Sequence, residues 1–189
     1  MIIAHENQEY ESNVIAEAIK EVYELKSVIE RFTGNKITKN RLREAIRLIQ
    51  RAQREFRRLY RIRMMDTPVI SGSDAMLIMN AYFYNRVDRW TAAMNRLNDE
   101  LEERLREKVS VCPKNAPRIM LTGSPIIFPN WKQTHMIEEA AGIIVSDDLC
   151  SSNRYIYDPI AIDDLTMSDM VRAMAERYLL PCTCRCFSP

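Results

Sequence analysis

The spacing of apolar residues changes once along this chain, and that change limits the folds that the chain can adopt. From residue 10 to about residue 108 the sequence contains almost no glycine, and apolar side chains recur at intervals of three and four. Such spacing is typical of long amphipathic helices. After Pro113 and Pro117 the pattern changes to short β-branched runs around one helical stretch, which is typical of a β-α-β unit.

The first part of the chain divides into three predicted helices. The first ends near Gly34, because glycine readily adopts the left-handed conformation that follows a helix end. Thr38 is a suitable N-cap for the second helix, and either Ser71 or Ser73 can cap the third. We expect the third helix to continue without a break from that turn toward Leu105.

The second part of the chain predicts a small parallel sheet. Residues 118–122 and 142–146 form the two strands, and a helix over residues 134–141 connects them. A right-handed crossover of this kind makes the two strands parallel.

These patterns together predict the α/β fold class. Long helices occupy residues 1–112, and residues 113–189 form a partial flavodoxin-like domain with a parallel sheet. A last helix is expected over residues 164–179, with its N-cap at Thr166 or Ser168. A third strand over 181–187 is an open alternative for the cysteine-rich end.

Polar residues follow the second predicted strand closely. Asp147, Asp148, Cys150 and Arg154 all lie in the segment 146–156. In an open α/β sheet, ligands bind in the crevice beyond the carboxyl ends of the strands. The segment is therefore the expected ligand-side loop. The alternative is a polar loop whose aspartates cap the next turn. In either case we expect Arg154 to pair with Asp147 or Asp148.

Charge and composition argue against several classes of protein. The net charge is +1, and the apolar stretches are short and interrupted by charged residues. We therefore expect no membrane span and no general attraction to nucleic acid. The N-terminal residues lack the basic and apolar regions of a secretory signal. Five cysteines, three of them within five positions, differ from a secreted disulfide framework and predict a cytoplasmic location.

The second predicted helix is strongly basic, since Lys39–Arg63 contains ten Lys or Arg and two Glu. One interpretation is a nucleic-acid-binding helical module. Another is a solvated face that carboxylates on the next helix partly neutralise. The near-neutral net charge of the chain favours the solvated-face interpretation. A third interpretation, intermediate between these two, is that the helix binds an anionic cofactor. We define the acidic segment of the next helix by its four carboxylate residues: Asp99, Glu100, Glu102 and Glu103.

Five stretches carry a family resemblance, and the segment SDDLCxxxRY is the most specific part of them. In chain order they are IERFTGNKITKNRLREAI at 29–46, TPVISGSDA at 67–75, PRIMLTGSPI at 117–126, IEEAAGIIVSDDLCSSNRYI at 137–156 and AERYLLPCTC at 175–184. In this order they resemble the 2-hydroxyacyl-CoA dehydratase / benzoyl-CoA reductase family. Within that family, the resemblance is to a subunit of the 2-hydroxyglutaryl-CoA dehydratase D-component type.

The resemblance implies an oxygen-sensitive enzyme of anaerobic metabolism, built from two related subunits with [4Fe-4S] clusters. A separate ATP-hydrolysing iron–sulfur activator supplies a low-potential electron. In the dehydratases this electron makes a ketyl radical of the acyl-CoA thioester, so that the 2-hydroxyl group leaves. In the reductases, electrons enter an aromatic ring. The implied function is lyase activity on 2-hydroxyacyl-CoA. The alternatives are a benzoyl-CoA reductase-type subunit, a non-catalytic assembly or metal-binding module, and the nucleic-acid-binding module.

The resemblance also indicates which part of a family subunit this chain represents and which of its residues contact the cluster and the substrate. It covers only the middle of the family's subunits, without the preceding and final domains that hold most cluster-binding cysteines. We therefore expect a truncated chain that is inactive alone and whose cluster is incomplete or absent. Because the implied substrate is an acyl-CoA, the candidate substrate-binding residues are Ser124, Asp147, Asp148 and Arg154. Of these, Arg154 is suited to bind a phosphate of coenzyme A.

Three cysteines are candidate metal ligands. Cys150 lies in the ligand-side loop, whereas Cys182 and Cys184 form a CxCxC run with Cys186. Alternate residues of an extended chain point to one side, so these thiolates can hold an iron–sulfur cluster or zinc. The alternative is a strand entering a core, where cysteine is a common small apolar residue. Cys112 is expected to be structural.

Overall fold

The computed structural model describes residues 2–127, 129–162 and 166–179 of the chain. In these residues the helices are α1 (Ile2–Thr33), α2 (Lys39–Arg63), α3 (Gly72–Tyr84), α4 (Val87–Glu107), α5 (Lys132–Glu139), α6 (Asn153–Ile156) and α7 (Met167–Leu179). The strands are β1 (Arg118–Gly123) and β2 (Ile143–Leu149). The predicted α/β class, with N-terminal helices before a small parallel sheet, is confirmed.

The predicted helix ends rest on local hydrogen bonds. Gly34 has a φ of 69°, and its amide donates to a carbonyl of the last turn of α1. The hydroxyl of Thr38 accepts from the amide of Arg41 at 3.4 Å, and that of Ser71 accepts from the amide of Asp74 at 3.0 Å. The predicted stop and both N-caps are therefore confirmed.

The expectation of one continuous third helix is wrong. Asn85 and Arg86 adopt extended conformations between α3 and α4. The side-chain oxygen of Asn85 accepts the amide of Arg86 at 2.8 Å, so the side chain replaces a helical acceptor, as asparagine commonly does. The apolar period continues across this break, which is why periodicity alone does not detect it.

The two strands are parallel, as predicted, but β2 ends three residues later than expected. Pairing runs from Arg118↔Ile143 to Gly123↔Leu149, with a register shift after Ile119. The pairing of β1 with β2 persists to the last residue of each strand. Asp147 and Asp148 are consequently strand residues, and the loop begins beyond them.

The chain forms two compact units, Met1–Arg47 with Pro159–Pro189, and Leu48–Asp158. In the first unit α1 packs against α7, and Ile46, Ile160 and Met170 form a small buried core. The hydroxyl of Thr166 accepts the amide of Asp169 at 3.2 Å, so one of the two proposed caps of α7 is confirmed. The predicted strand over 181–187 lies outside the described residues.

The second unit contains the larger core and both strands. Its buried apolar residues come from α2, α3, α4 and α6, and they include Phe56, Leu59, Met79, Met94, Leu101 and Ile156. Among the described residues, no helix combines the length and the hydrophobicity that crossing a bilayer requires.

The start of α3 lies directly against β2. A Cβ atom added at Gly72 would lie 2.3 Å from Cβ of Ile144. The amide of Gly72 also donates to Glu138 Oε1 at 2.6 Å, and the hydroxyl of Ser73 donates to Oε2 at 2.6 Å. The carboxylate therefore satisfies free donors at a helix N-terminus, where negative charge is favourable.

We predict that Gly72→Ala lowers the free energy of unfolding by about 3 kcal/mol or more, because neither Cβ atom can move away by a rotamer change. Gly34→Ala is the comparison, since nothing lies within 4 Å of its added Cβ and only the left-handed backbone costs about 1–2 kcal/mol. Urea unfolding measures both. A Gly72→Ala variant that is more stable than Gly34→Ala would contradict the contact.

The basic helix α2 is partly neutralised by the acidic segment of α4. Arg58 donates to Glu102 Oε1 at 2.6 Å and to Asp99 Oδ1 at 2.6 Å. The hydrogen bond from Arg58 holds the pKa of Glu102 below its ordinary value. This geometry is the partial neutralisation that the solvated-face interpretation of the helix expects.

This pair makes stability depend on pH in one direction. Because the pKa of Glu102 is lowered in the folded chain, its contribution is present above the unfolded value of about 4.3 and is lost as pH falls through the folded pKa. We expect Glu102→Gln to cost less than about 1 kcal/mol at pH 7, and progressively less as pH falls below that unfolded value. Glu107→Gln, which removes the same charge from an exposed position, is the control. A Glu102→Gln deficit that grew as pH fell would contradict this assignment.

Candidate functional site

The candidate site lies at the carboxyl ends of β1 and β2. Gly123 and Leu149 are paired as the last residues of the two strands, so the loops that follow them leave the same sheet edge. The hydroxyl of Ser151 donates to the carbonyl of Ile126 at 3.1 Å, which joins the two loops. Ser124 is exposed in the first loop, and α6 starts immediately after the second.

A buried ion pair fixes β2 to the end of α2. Arg63 Nη1 lies 2.8 Å from Asp147 Oδ2, with only 3% and 8% of the two side chains exposed. The other carboxylate oxygen, Oδ1, accepts a hydrogen bond from the hydroxyl of Ser152. Both oxygens of Asp147 are therefore engaged inside the protein. A buried charge requires such partners, because desolvation without them is costly.

Two further contacts join the end of α2 to the sheet. The hydroxyls of Tyr60 and Ser146 are hydrogen-bonded at 2.6 Å. The guanidinium of Arg118 on β1 donates to the carbonyls of Met64 and Met65 at 2.9 and 3.0 Å. These carbonyls lie just past the helix end, where backbone acceptors lack helical partners and favour a cation.

A second ion pair lies at the rim of the edge. Arg154 Nη2 is 2.7 Å from Asp148 Oδ2, and the side chains are 20% and 29% exposed. Nη1 of Arg154 donates to the thiol sulfur of Cys150 at 3.8 Å. The hydrogen bond with Asp148 raises the pKa of Arg154 above its ordinary value, so the guanidinium is charged at any working pH. The pairing of Arg154 with one of the two aspartates, expected from sequence, is observed.

The rim leaves some hydrogen-bonding capacity unused. Nε of Arg154 and the side-chain oxygen of Asn153 are buried and lack a hydrogen-bond partner within the described part of the chain. A guanidinium has five N–H donors, and Asp148 and Cys150 each accept one hydrogen bond from it. A partly exposed cation with spare donors can contact an anionic group of a ligand.

The structure separates the candidates that the sequence places together. Asp148, Cys150 and Arg154 meet at the rim, whereas Asp147 faces Arg63 in the interior. Ser124 lies in the adjoining loop as an exposed residue. Cys182, Cys184 and Cys186 lie outside the described residues, so their proposed role as ligands stays a prediction.

Sequence reasoning missed Arg63 as a positioning residue. It counts Arg63 with the basic face of α2, although Arg63 follows Phe56 and Leu59 at spacings of seven and four. Those spacings place it on the apolar face of the helix, which is the signal that could have identified it. No comparable local signal identifies Glu138, because its partners at Gly72 and Ser73 lie more than sixty residues earlier.

The described residues do not form a complete metal site. No three His, Cys, Asp or Glu side chains among them lie close enough to share an ion. Cys112 and Cys150 are free thiols in this part of the chain. Since protein-bound iron–sulfur clusters are held by several thiolates, these two residues do not meet the requirements of a [4Fe-4S] cluster.

Comparison with known proteins identifies the class of this chain. The family model for 2-hydroxyglutaryl-CoA dehydratase, D-component, matches residues 8–189. The chain therefore belongs to this family, which confirms the resemblance found in the sequence. A relative from Escherichia coli (strain K12) bears the name "Putative dehydratase subunit YjiM" and is 31% identical over 166 residues. The alignment covers 87% of this chain and 41% of that protein, so the chain spans about two fifths of the relative's length.

We predict that replacing one partner of the buried pair lowers the free energy of unfolding more than replacing both. Arg63→Met and Asp147→Leu should each lower the free energy of unfolding by about 3–5 kcal/mol, because each leaves an uncompensated buried charge. The double variant should recover part of that loss. Arg104→Met is the control, since its partner Glu100 is exposed and such pairs are worth about 0–1 kcal/mol.

Urea unfolding of the wild type, both single variants and the double variant completes the thermodynamic cycle. Additive losses in the double variant would show that the two side chains do not interact in the folded chain. Losses no larger than that of Arg104→Met would show that the pair is not buried.

Proposed function

We propose that this chain is part of a subunit of a cytoplasmic enzyme that removes water from 2-hydroxyacyl-CoA thioesters. The observation that carries the proposal is the family match over residues 8–189. The description of that family favours dehydration over the ring reduction of the benzoyl-CoA reductase type. A related second subunit and an ATP-dependent iron–sulfur activator complete the proposed system, and a [4Fe-4S] cluster supplies its one-electron chemistry when bound.

Within this proposal the sheet edge holds the substrate. Asp147 keeps β2 and the following turn in place through Arg63 and Ser152. Asp148 orients Arg154 at the rim, and the spare donors of Arg154 bind a phosphate of coenzyme A. Ser124, exposed in the loop joined to this segment, is a second contact for the same substrate. Cys150 accepts a hydrogen bond from Arg154 and stays a candidate ligand of the cluster.

The test of the activity uses the complete enzyme, purified without oxygen together with its partner subunit, activator and ATP. We expect loss of water from a 2-hydroxyacyl-CoA, followed as formation of the unsaturated acyl-CoA. Absence of this reaction across a series of 2-hydroxyacyl-CoA substrates would overturn the proposed function.

The role of Arg154 makes a separate prediction. Arg154→Gln should raise the KM for acyl-CoA about tenfold or more, because a charge-assisted hydrogen bond is worth about 1.5–3 kcal/mol. The same variant should leave the KM for an acyl-pantetheine substrate, which lacks the nucleotide phosphates, nearly unchanged. Asp148→Asn is the matched control: it weakens the ion pair that orients Arg154 yet keeps the guanidinium, so it should raise the KM for acyl-CoA less than Arg154→Gln does. Equal losses with both substrates, or in both variants, would assign Arg154 a purely structural role.

A further inference from the structure

A groove between α2 and α4 lies within the second compact unit and takes no part in the sheet edge. Its volume is about 280 Å³. Arg51 and Arg54 line it from α2, and Asp88, Ala92 and Asn95 line it from α4. The groove therefore has space for a small ligand between two charged helices.

The carboxylates of the groove have partners other than Arg51 and Arg54, although Glu55 shares Arg58 with Asp99 and Glu102. Asp88 lies 2.8 Å from Arg86. Glu55, the other acidic lining residue, accepts the side-chain amide of Asn98 at 3.0 Å and lies 3.6 Å from Arg58. Neither carboxylate relies on the two arginines that face the groove from α2.

Arg51 and Arg54 lack such partners. Among the described residues neither side chain has an ion pair or a hydrogen bond. They are three positions apart, which places them side by side on one face of the helix. Two guanidinium groups with a combined charge of +2 thus border a groove whose carboxylates contact other arginines, Asp88 with Arg86 and Glu55 with the shared Arg58.

We propose that this groove binds the phosphate group of a small phosphorylated molecule. A phosphate monoester carries nearly two negative charges at neutral pH, which matches the charge of the two arginines. Guanidinium groups recognise phosphate oxygens with paired hydrogen bonds. Asn95 donates one amide hydrogen toward Glu55 at 3.4 Å, and its second hydrogen is available to the ligand.

The surroundings of the groove favour a small anion over a nucleic acid. The acidic segment defined above continues along α4 from Asp99, only four residues beyond Asn95. An extended phosphate backbone laid along α2 would meet these carboxylates, whereas a single phosphate group in the groove avoids them. The site is independent of the proposed dehydratase activity, because it uses none of the residues of the sheet edge.

The test measures binding of phosphate-bearing probes to the full chain by isothermal titration calorimetry at low ionic strength. The probes are inorganic phosphate, ADP, coenzyme A and pantetheine, the last of which lacks phosphate. We expect the phosphate-bearing probes to bind and pantetheine not to bind. A nucleotide source is distinguished from free phosphate by whether ADP and coenzyme A bind more tightly than phosphate alone.

The variant Arg51→Gln/Arg54→Gln should weaken binding of inorganic phosphate and ADP at least about tenfold, because one or more charge-assisted hydrogen bonds are lost. Arg57→Gln/Arg61→Gln is the matched control, because it removes the same charge from the same helix outside the groove. Ala92→Glu, an exposed substitution, should also abolish binding by placing a carboxylate in the groove.

Three results would overturn the proposal. The first is no binding of any phosphate-bearing probe. The second is equal weakening in the two double variants, which would indicate a diffuse attraction to the whole helix. The third is binding of inorganic phosphate that is lost in Arg154→Gln and kept in Arg51→Gln/Arg54→Gln, which would assign the phosphate to the sheet edge instead.

Discussion

The buried contact between Arg63 and Asp147 is the constraint on which the candidate site depends. Two opposite charges that are almost completely excluded from water can be tolerated only as a pair with further hydrogen bonds, and Ser152 supplies one of them. Because Arg63 is the last residue of α2 and Asp147 lies within β2, the pair determines where the helix meets the strand. The contact between Tyr60 and Ser146 acts at the same junction, so the loop beyond β2 starts from a fixed position.

The neighbouring residues Asp147 and Asp148 in β2 therefore make different contacts. Successive side chains of a strand point to opposite sides, and here Asp147 is buried while Asp148 is partly exposed. The first is fully engaged in holding the fold together, and neither of its oxygens is free for a substrate. The second keeps a guanidinium at the surface. Of the two carboxylates that the sequence motif presents, Asp148 is the one at the rim of the sheet edge, where it pairs with Arg154.

The features predictable from sequence were those set by nearby residues. Gly34, Thr38 and Ser71 act through hydrogen bonds that span three or four positions, and the strand–helix–strand order implies parallel pairing by chain connectivity. The break at Asn85 was missed because a side chain replaced a backbone acceptor within an otherwise helical period. The roles of Arg63 and Glu138 could not be predicted, because their partners lie 84 and more than sixty residues away. Site geometry depends on such distant contacts, and local patterns do not encode them.

The same dependence on partners explains the basic helix. Its ten cationic residues suggest one uniform surface, yet their environments differ. Arg63 is buried against Asp147, Arg58 is paired with Asp99 and Glu102, and Arg51 and Arg54 lack partners in the described residues. A count of charges weights these residues equally, although an anion can reach only those whose charge is not already neutralised. The charge available for binding on α2 is therefore local, and it is set by which carboxylates the fold brings close to each arginine.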